Sequence, residues 1–276
     1  MRPTFIYFLF FASILHAQLT ITGKVSSSEN LQGLPYVNIG IPDKGVGTVS
    51  NEEGNFELTI PAGMESDQLR FSMVGYNSYS VFIQQIHNGS VNPNSIVLKP
   101  KLIALNEVEV VNGRWKANAV GNKTQSKMIM AGFPSNALGN EMAQFVRIKK
   151  NRPTRIVGFW ISVADNKIKE PAILRLNIYQ EQEGLPATNI LSEPIYIELP
   201  ERPKRLALDL TDYDIYVEDS FFISMEWIKD YGKENLWFSA GLLGKSIYER
   251  STSQGKWKRY KALNIGMGVE LLQYYR

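Results

Sequence analysis

Asp209, Asp212, Asp214, Glu218 and Asp219 form the densest acidic run in the chain. Clustered carboxylate oxygens are the hard ligands that Ca²⁺ takes. Asp209, Asp212 and Asp214 are therefore candidate ligands for a structural Ca²⁺. The run lacks the Asp-x-Asp-x-Asp-Gly spacing of an EF-hand, and the competing reading is a solvated loop between strands. Trp227, Tyr231, Trp237, Trp257 and Tyr260 supply a second kind of chemistry. Aromatic rings on a sheet face stack on sugars or anchor protein partners. Lys256, Lys258, Arg259 and Lys261 interleave with Trp257 and Tyr260. The competing reading is core tryptophans beside a basic edge strand, where lysines block edge-to-edge aggregation. Carboxylate pairs can also hydrolyse glycosides, but no pair is singled out by its spacing.

Other catalytic chemistries lack their residues. The chain has no cysteine and two histidines, His16 and His87. Without cysteine there is no thiolate metal site, no disulfide and no thiol nucleophile. A catalytic zinc normally draws on several His or Cys ligands. A serine triad would have to use His87, which sits in the polar segment Ile86-His87-Asn88-Gly89-Ser90, and no Gly-x-Ser-x-Gly elbow occurs. The reading is of a non-enzyme with no cofactor beyond the candidate Ca²⁺. Lys plus Arg total 30 against 27 for Asp plus Glu. That balance gives no electrostatic case for nucleic acid.

The N-terminus reads as a cleavable export signal over residues 1–17. Arg2 provides the positive charge, Phe5 to Leu15 an uncharged apolar run, and Ala17 a small residue at the cut. The run is too short to span a bilayer as a helix, which needs about 20 residues. The competing reading is an uncleaved anchor. The mature chain is expected to carry no transmembrane segment.

Beyond the leader the chain reads as strand after strand. Leu19, Ile21 and Val25 alternate with polar residues; so do Val37, Ile39 and Ile41; Phe56, Leu58 and Ile60; Leu69, Phe71 and Met73; and Tyr79, Val81 and Ile83. Period two puts one face on a core and the other in water. Turn signals separate the runs, as in Asn51-Glu52-Glu53-Gly54 and Pro61-Ala62-Gly63. Leu105 to Val111 is one more strand. Residues 112–125, rich in Asn, Gly and Lys, read as an interdomain linker. Strand signals resume in 126–276, with strong runs at Ile156–Val163, Leu174–Ile178, Ile195–Leu199, Leu206–Leu210, Phe221–Trp227 and Leu236–Ala240. Lys256–Tyr260 and Ile265–Leu271 read as a closing hairpin. A short helix is possible over Asn140–Phe145, against the helix-breaking Gly139. The expected fold class is all-β, with two β-sandwich domains, the second jelly-roll-like.

Four blocks in the first domain carry a family resemblance. They are Ile21-Thr22-Gly23-Lys24-Val25, Gly33-Leu34-Pro35-Tyr36-Val37-Asn38-Ile39, the run from Gly47-Thr48-Val49-Ser50-Asn51 through Glu52-Glu53-Gly54 to Asn55-Phe56-Glu57-Leu58, and Phe71-Ser72-Met73-Val74-Gly75-Tyr76. In order and spacing they resemble the carboxypeptidase-regulatory-like domain, with Ser50-Asn51 where the family usually has Thr-Asp. The resemblance implies a seven-stranded prealbumin-like Greek-key sandwich over residues 18–111. In the namesake enzymes catalysis belongs to a separate zinc domain, so the resemblance implies a structural or binding module. Such domains also precede the plug of TonB-dependent outer-membrane receptors. The residues that follow here lack the repeated ten-residue amphipathic spans of a barrel. Signal and resemblance together place the protein in the periplasm or at the outer membrane of a Gram-negative envelope. The expected role is a binding or adaptor module for an envelope protein, such as an outer-membrane receptor, or for a glycan. The alternative is a carboxylate-based carbohydrate-active or Ca²⁺-dependent enzyme.

Overall fold

The computed structural model describes residues 18–101, 114–133, 137–199, 201–202, 204–232, 234–242 and 246–275. The expected leader and the strand Leu105–Val111 lie outside the described residues. The described chain is all-β, in two sandwich-like units. Among the described residues no helix is long and apolar enough to cross a membrane.

Seven strands build the first unit: β1 (Leu19–Ser27), β2 (Asn38–Ile41), β3 (Val46–Val49), β4 (Asn55–Ile60), β5 (Gln68–Ser72), β6 (Tyr79–Phe82) and β7 (Ile96–Leu98). They divide into a sheet ordered β4-β1-β7 and a sheet ordered β3-β2-β5-β6. Alternation works as physics requires. Every second residue of β4 is buried, putting Phe56, Leu58 and Ile60 inside. They meet Ile21, Val25, Ile39, Leu69 and Phe71 from the other strands, each large side chain gaining about 1.5–3 kcal/mol over exposure. The motif residues have local reasons. Gly54 takes φ +83°, and a Cβ there would meet Val25 O at 2.4 Å. Asn51 Oδ1 closes the same turn by accepting from Asn55 N at 2.8 Å. Buried Ser50 Oγ accepts from Val37 N and donates to Leu34 O. The alternation through Ile83 suggested a longer sixth strand. The chain instead breaks into a short helix, α1 (Ile83–His87), that buries Ile83 and Ile86.

The second unit has strands β8 (Arg114–Gly121), β9 (Met130–Gly132), β10 (Glu141–Val146), β11 (Thr154–Asn166), β12 (Ile173–Gln182), β13 (Leu185–Asn189), β14 (Ile195–Glu198), β15 (Arg205–Asp209), β16 (Ile215–Val217), β17 (Phe221–Trp227), β18 (Leu236–Leu242), β19 (Ile247–Arg250), β20 (Lys258–Tyr260), β21 (Leu263–Ile265) and β22 (Met267–Tyr275). One sheet runs β13-β12-β17-β10-β19-β20, with β14 also on β12. The other is built around β11, which pairs with β18, β22, β15 and β16; β8 extends it beyond β22, and β9 and β21 pair with β18. Ile156, Phe159, Leu174, Ile223, Phe238 and Val269 lie in the core between them.

Three expectations change here. Residues 114–121, read as linker, form β8, an edge strand paired along its length with β22. Its side chains are mostly exposed, so no apolar alternation marked it. Asn140–Phe145 is strand rather than helix, because it fills the gap between β17 and β19 with antiparallel partners on both sides. The two C-terminal runs do not form a hairpin with each other. Lys258–Tyr260 pairs with β19 in one sheet and β22 pairs with β11 in the other.

Candidate functional site

The outer face of the sheet around β10 carries the chemistry. Strand registers place Arg175 opposite Glu226, Glu226 opposite Glu141, and Glu141 opposite Arg250. Residues directly opposite on paired strands point to the same face. A row of charge therefore crosses four strands in the order plus, minus, minus, plus. The next row is Asn177, Ser224, Ala143 and Tyr248, and the next contains Tyr179, Phe222 and Phe145.

Opposed like charges on a sheet are destabilising, and buried charges need partners. Both needs are met in the row. Arg175 donates to Glu226 Oε2 through Nε (3.0 Å) and Nη2 (2.8 Å). Arg250 Nη2 lies 2.6 Å from Glu141 Oε2 and 3.8 Å from Glu226 Oε1. Asn177 Nδ2 donates to both carboxylates, at 2.9 Å to Glu141 and 2.8 Å to Glu226. The hydroxyls of Ser224 and Tyr179 donate to Glu141. Both glutamate side chains are fully buried. Burial raises the Glu141 carboxyl above the usual glutamate range; Arg250 opposes the rise and Glu226 adds to it. Burial alone would depress the Arg250 guanidinium, but the charges of Glu141, Tyr179 and Glu226 outweigh it and the net shift is upward.

The row is buried because the first sandwich lies on it. Arg175 Nη1 donates to Tyr36 O (2.7 Å) and Nη2 to Asn38 Oδ1 (2.7 Å). Tyr36 is held at φ +57°, an uncommon conformation for a bulky residue, and its ring meets Tyr196 edge-on at 5.4 Å. Tyr36 and Val49 pack on Ile228 with Leu138 and Ile173. A loop of the second unit presses on β2 and β3. Thr252 Oγ1 donates to Gly47 O (2.8 Å), Gln254 O accepts from Asp43 N (2.9 Å), and Gln254 Nε2 donates to Ser72 Oγ (2.7 Å). The approach is so close that a Cβ on Gly47 would stand 2.2 Å from Ser253 O, and one on Gly40 2.6 Å from it. Lys229 bridges Glu52 across the contact at 3.1 Å.

Beside this contact a cleft of about 740 Å³ opens between the units. Its floor includes Arg175, Asn177, Tyr179 and Arg250, and its walls come from the Arg70–Ser78 stretch, Lys101 and the Ala187–Ser192 stretch.

The aromatic candidates are distributed rather than gathered. Trp227 and Tyr231 are buried; they pack edge-on together, and Trp227 also meets Phe133. Tyr231 OH accepts from Ile173 N at 2.6 Å. Trp237 is half-buried on the other sheet, over the site of Gly132. Trp257 is half-buried against Tyr179 and under the Arg250 guanidinium. Tyr260 is exposed on edge strand β20. Only Trp257 belongs to the neighbourhood of the cleft. Of the acidic candidates, Asp209 accepts from Thr211 and Asp214 pairs with Arg155 at 2.6 Å. Among the described residues no group of three His, Cys, Asp or Glu side chains converges as a metal site would require.

The residues that sequence reasoning passed over are Glu141, Arg175, Asn177, Glu226 and Arg250. They sit at the polar positions of alternating strands, where period two reads as a wet face. The available signal was the charge itself, recurring on strands whose other face is mostly apolar, as in Leu174, Leu176 and Ile178 or Phe221, Ile223 and Met225.

Comparison with known proteins accords with this architecture. Residues 21–110 match the family model of the CarboxypepD_reg-like domain, so the first sandwich is a domain of that type. A similar curated protein is the TonB-dependent receptor P3 of Formosa agariphila, 25% identical over 168 residues. The match covers 60% of this chain and 15% of that receptor. The chain thus corresponds to a small part of the relative's length.

Proposed function

We propose that this protein is a non-enzymatic module of the bacterial envelope, in the periplasm or at the outer membrane. It would hold a glycan or protein partner at the cleft between its two sandwiches. One observation carries the reading. The two carboxylates brought together at the site are fully buried, and each is bound by an arginine and by amide or hydroxyl donors. Acid–base catalysis needs a carboxyl within hydrogen-bond reach of the substrate. Here the polar lining is amide, hydroxyl, guanidinium and the Lys101 ammonium. The likeness of the first domain to a CarboxypepD_reg-like module, and the TonB-dependent receptor relative, support the envelope setting. The reading needs no cofactor.

Binding and turnover are separated on one mixture. The purified protein is incubated with envelope polysaccharide and outer-membrane extract. The expected result is a retained, chemically unchanged partner, displaced by Asn189→Ala or Arg70→Ala. New reducing ends that vanish in Glu141→Gln would establish the carboxylate-enzyme reading instead. Retention of nothing would leave a structural spacer.

A further inference from the structure

The cleft has a chemical selectivity of its own. Among the described residues no aspartate or glutamate lines it, while Arg70, Lys101, Arg175 and Arg250 all contribute to it. The chain as a whole is near charge balance, so this is a local asymmetry. A second groove at the same interdomain contact, about 470 Å³, is lined among the described residues by Glu52, Glu53, Glu57 and Asp230 against one cation, Lys229.

The cations are not equivalent. Each Arg175 nitrogen has a partner among Glu226, Tyr36 and Asn38. Arg250 gives one nitrogen to Glu141, and its Nε is buried without a hydrogen-bond partner. A buried donor left unmade is unfavourable and is commonly completed by water or a ligand. Arg70 makes one hydrogen bond, to Ser78 Oγ at 3.2 Å, and is exposed, as is Lys101.

The remaining lining is rich in side-chain amides, among them Asn38, Asn77, Asn177, Gln180, Asn189 and Gln254. A primary amide offers a donor and an acceptor side by side, which matches vicinal hydroxyls. Ser72, Ser78, Thr188 and Ser192 add hydroxyl partners. Met73, Val74, Ile190 and Leu191 add apolar side chains, but amides and hydroxyls outnumber them, which favours a polyhydroxylated acid over an acidic peptide. A volume of about 740 Å³ falls in the range of small-molecule sites.

We infer that the cleft between the two sandwiches binds a carboxylate-bearing sugar: a short uronate oligosaccharide, its carboxylate met by Arg70, Lys101 and Arg250 and its hydroxyls by the amide wall. This rests on the binding reading above and sharpens it. It makes the second, acidic groove a non-site for the same ligand.

The test is calorimetric titration of the purified protein with trisaccharides of galacturonate, glucuronate, mannuronate and guluronate. Each is compared with its methyl ester, which is neutral but otherwise alike. At least one acid is expected to bind, with affinity that falls as salt rises and is lost on esterification. The exposed double variant Arg70→Ala/Lys101→Ala should bind at least about tenfold more weakly, as loss of charge-assisted hydrogen bonds predicts, with its melting temperature unchanged. The inference is overturned if no uronate binds, if the ester binds equally, or if the double variant binds undiminished. Tighter binding of hexaglutamate or of a sulfated neutral trisaccharide also overturns it. Failure with every sugar, beside continued retention of an envelope partner, would remove this inference and leave the binding-module reading standing.

Discussion

At the residue scale the Arg175–Glu226 pair governs the protein. Both side chains are out of water, so removing one partner strands the other charge. Breaking such a buried pair costs about 3–5 kcal/mol. Arg175→Met should therefore lower stability by about that amount in urea unfolding. Arg175→Met combined with Glu226→Leu should recover much of the loss, because two apolar groups leave no unpaired charge. Glu52 makes a pH-dependent contribution. The hydrogen bond from Lys229, and then that from Tyr36, hold its carboxyl below the usual glutamate range. A depressed folded value means that this group stabilises the fold above the unfolded value, about 4.3, and loses that effect as pH falls through the folded value. The melting temperature of Glu52→Gln should thus lie slightly below wild type at pH 7, more so at low salt, and converge with it in acid. Asp209 and Asp214 already have partners in Thr211 and Arg155. Adding Ca²⁺ or a chelator is expected to leave the melting temperature unmoved.

At the element scale the hallmark turn of the first domain has two duties. Gly54 and Asn51 shape the turn into β4, and Gly47, at the other end of the same block, lies against the loop carrying Ser253. Gly47→Ala forces the backbones apart, since 2.2 Å to a carbonyl oxygen is well inside contact distance and neither partner is a flexible side-chain tip. The variant should retain each sandwich but loosen the contact. Faster hydrogen exchange of the Asp43 amide, which donates to Gln254 O across the contact, than in wild type would register that change. Undiminished protection there would show that the loop yields instead. The same loop positions Trp257 over Arg250, so β19, β20 and the turn between them couple the outer face of the sheet to the cleft.

At the scale of the whole molecule, the contact between the units contains ionic, hydrogen-bonded and apolar parts together. Interfaces between domains are commonly polar and permit relative motion unless they are large and hydrophobic. Here Tyr36, Val49 and Ile228 make an apolar patch, and Arg175 ties the backbone of one unit to a carboxylate of the other. Calorimetry is expected to give a single cooperative transition for wild type and two resolved transitions for Gly47→Ala. Two transitions in wild type would refute the coupling.

Much of this was legible in the sequence. Period-two alternation depends only on neighbouring residues in one strand, so Phe56, Leu58 and Ile60, or Leu174, Leu176 and Ile178, announced both strands and core. The motif glycines announced their turns for the same local reason. What alternation leaves undetermined is what covers the second face of a sheet. Arg175, Asn177, Ser224 and Glu226 occupy polar positions that suit water equally well, and only the docking of the first sandwich makes them interior. Likewise Trp227 and Trp257 are the same residue type near strand ends, yet one is core and the other is half-buried beside Tyr179 and Arg250. Strand β8 was hidden because an edge strand needs no apolar pattern. The chain by itself determined the alternating core strands of both units and, having no cysteine, left no thiol chemistry. The tertiary structure alone decided that two glutamates and two arginines from four separate strands meet, because that meeting depends on strand order and register rather than on proximity along the chain.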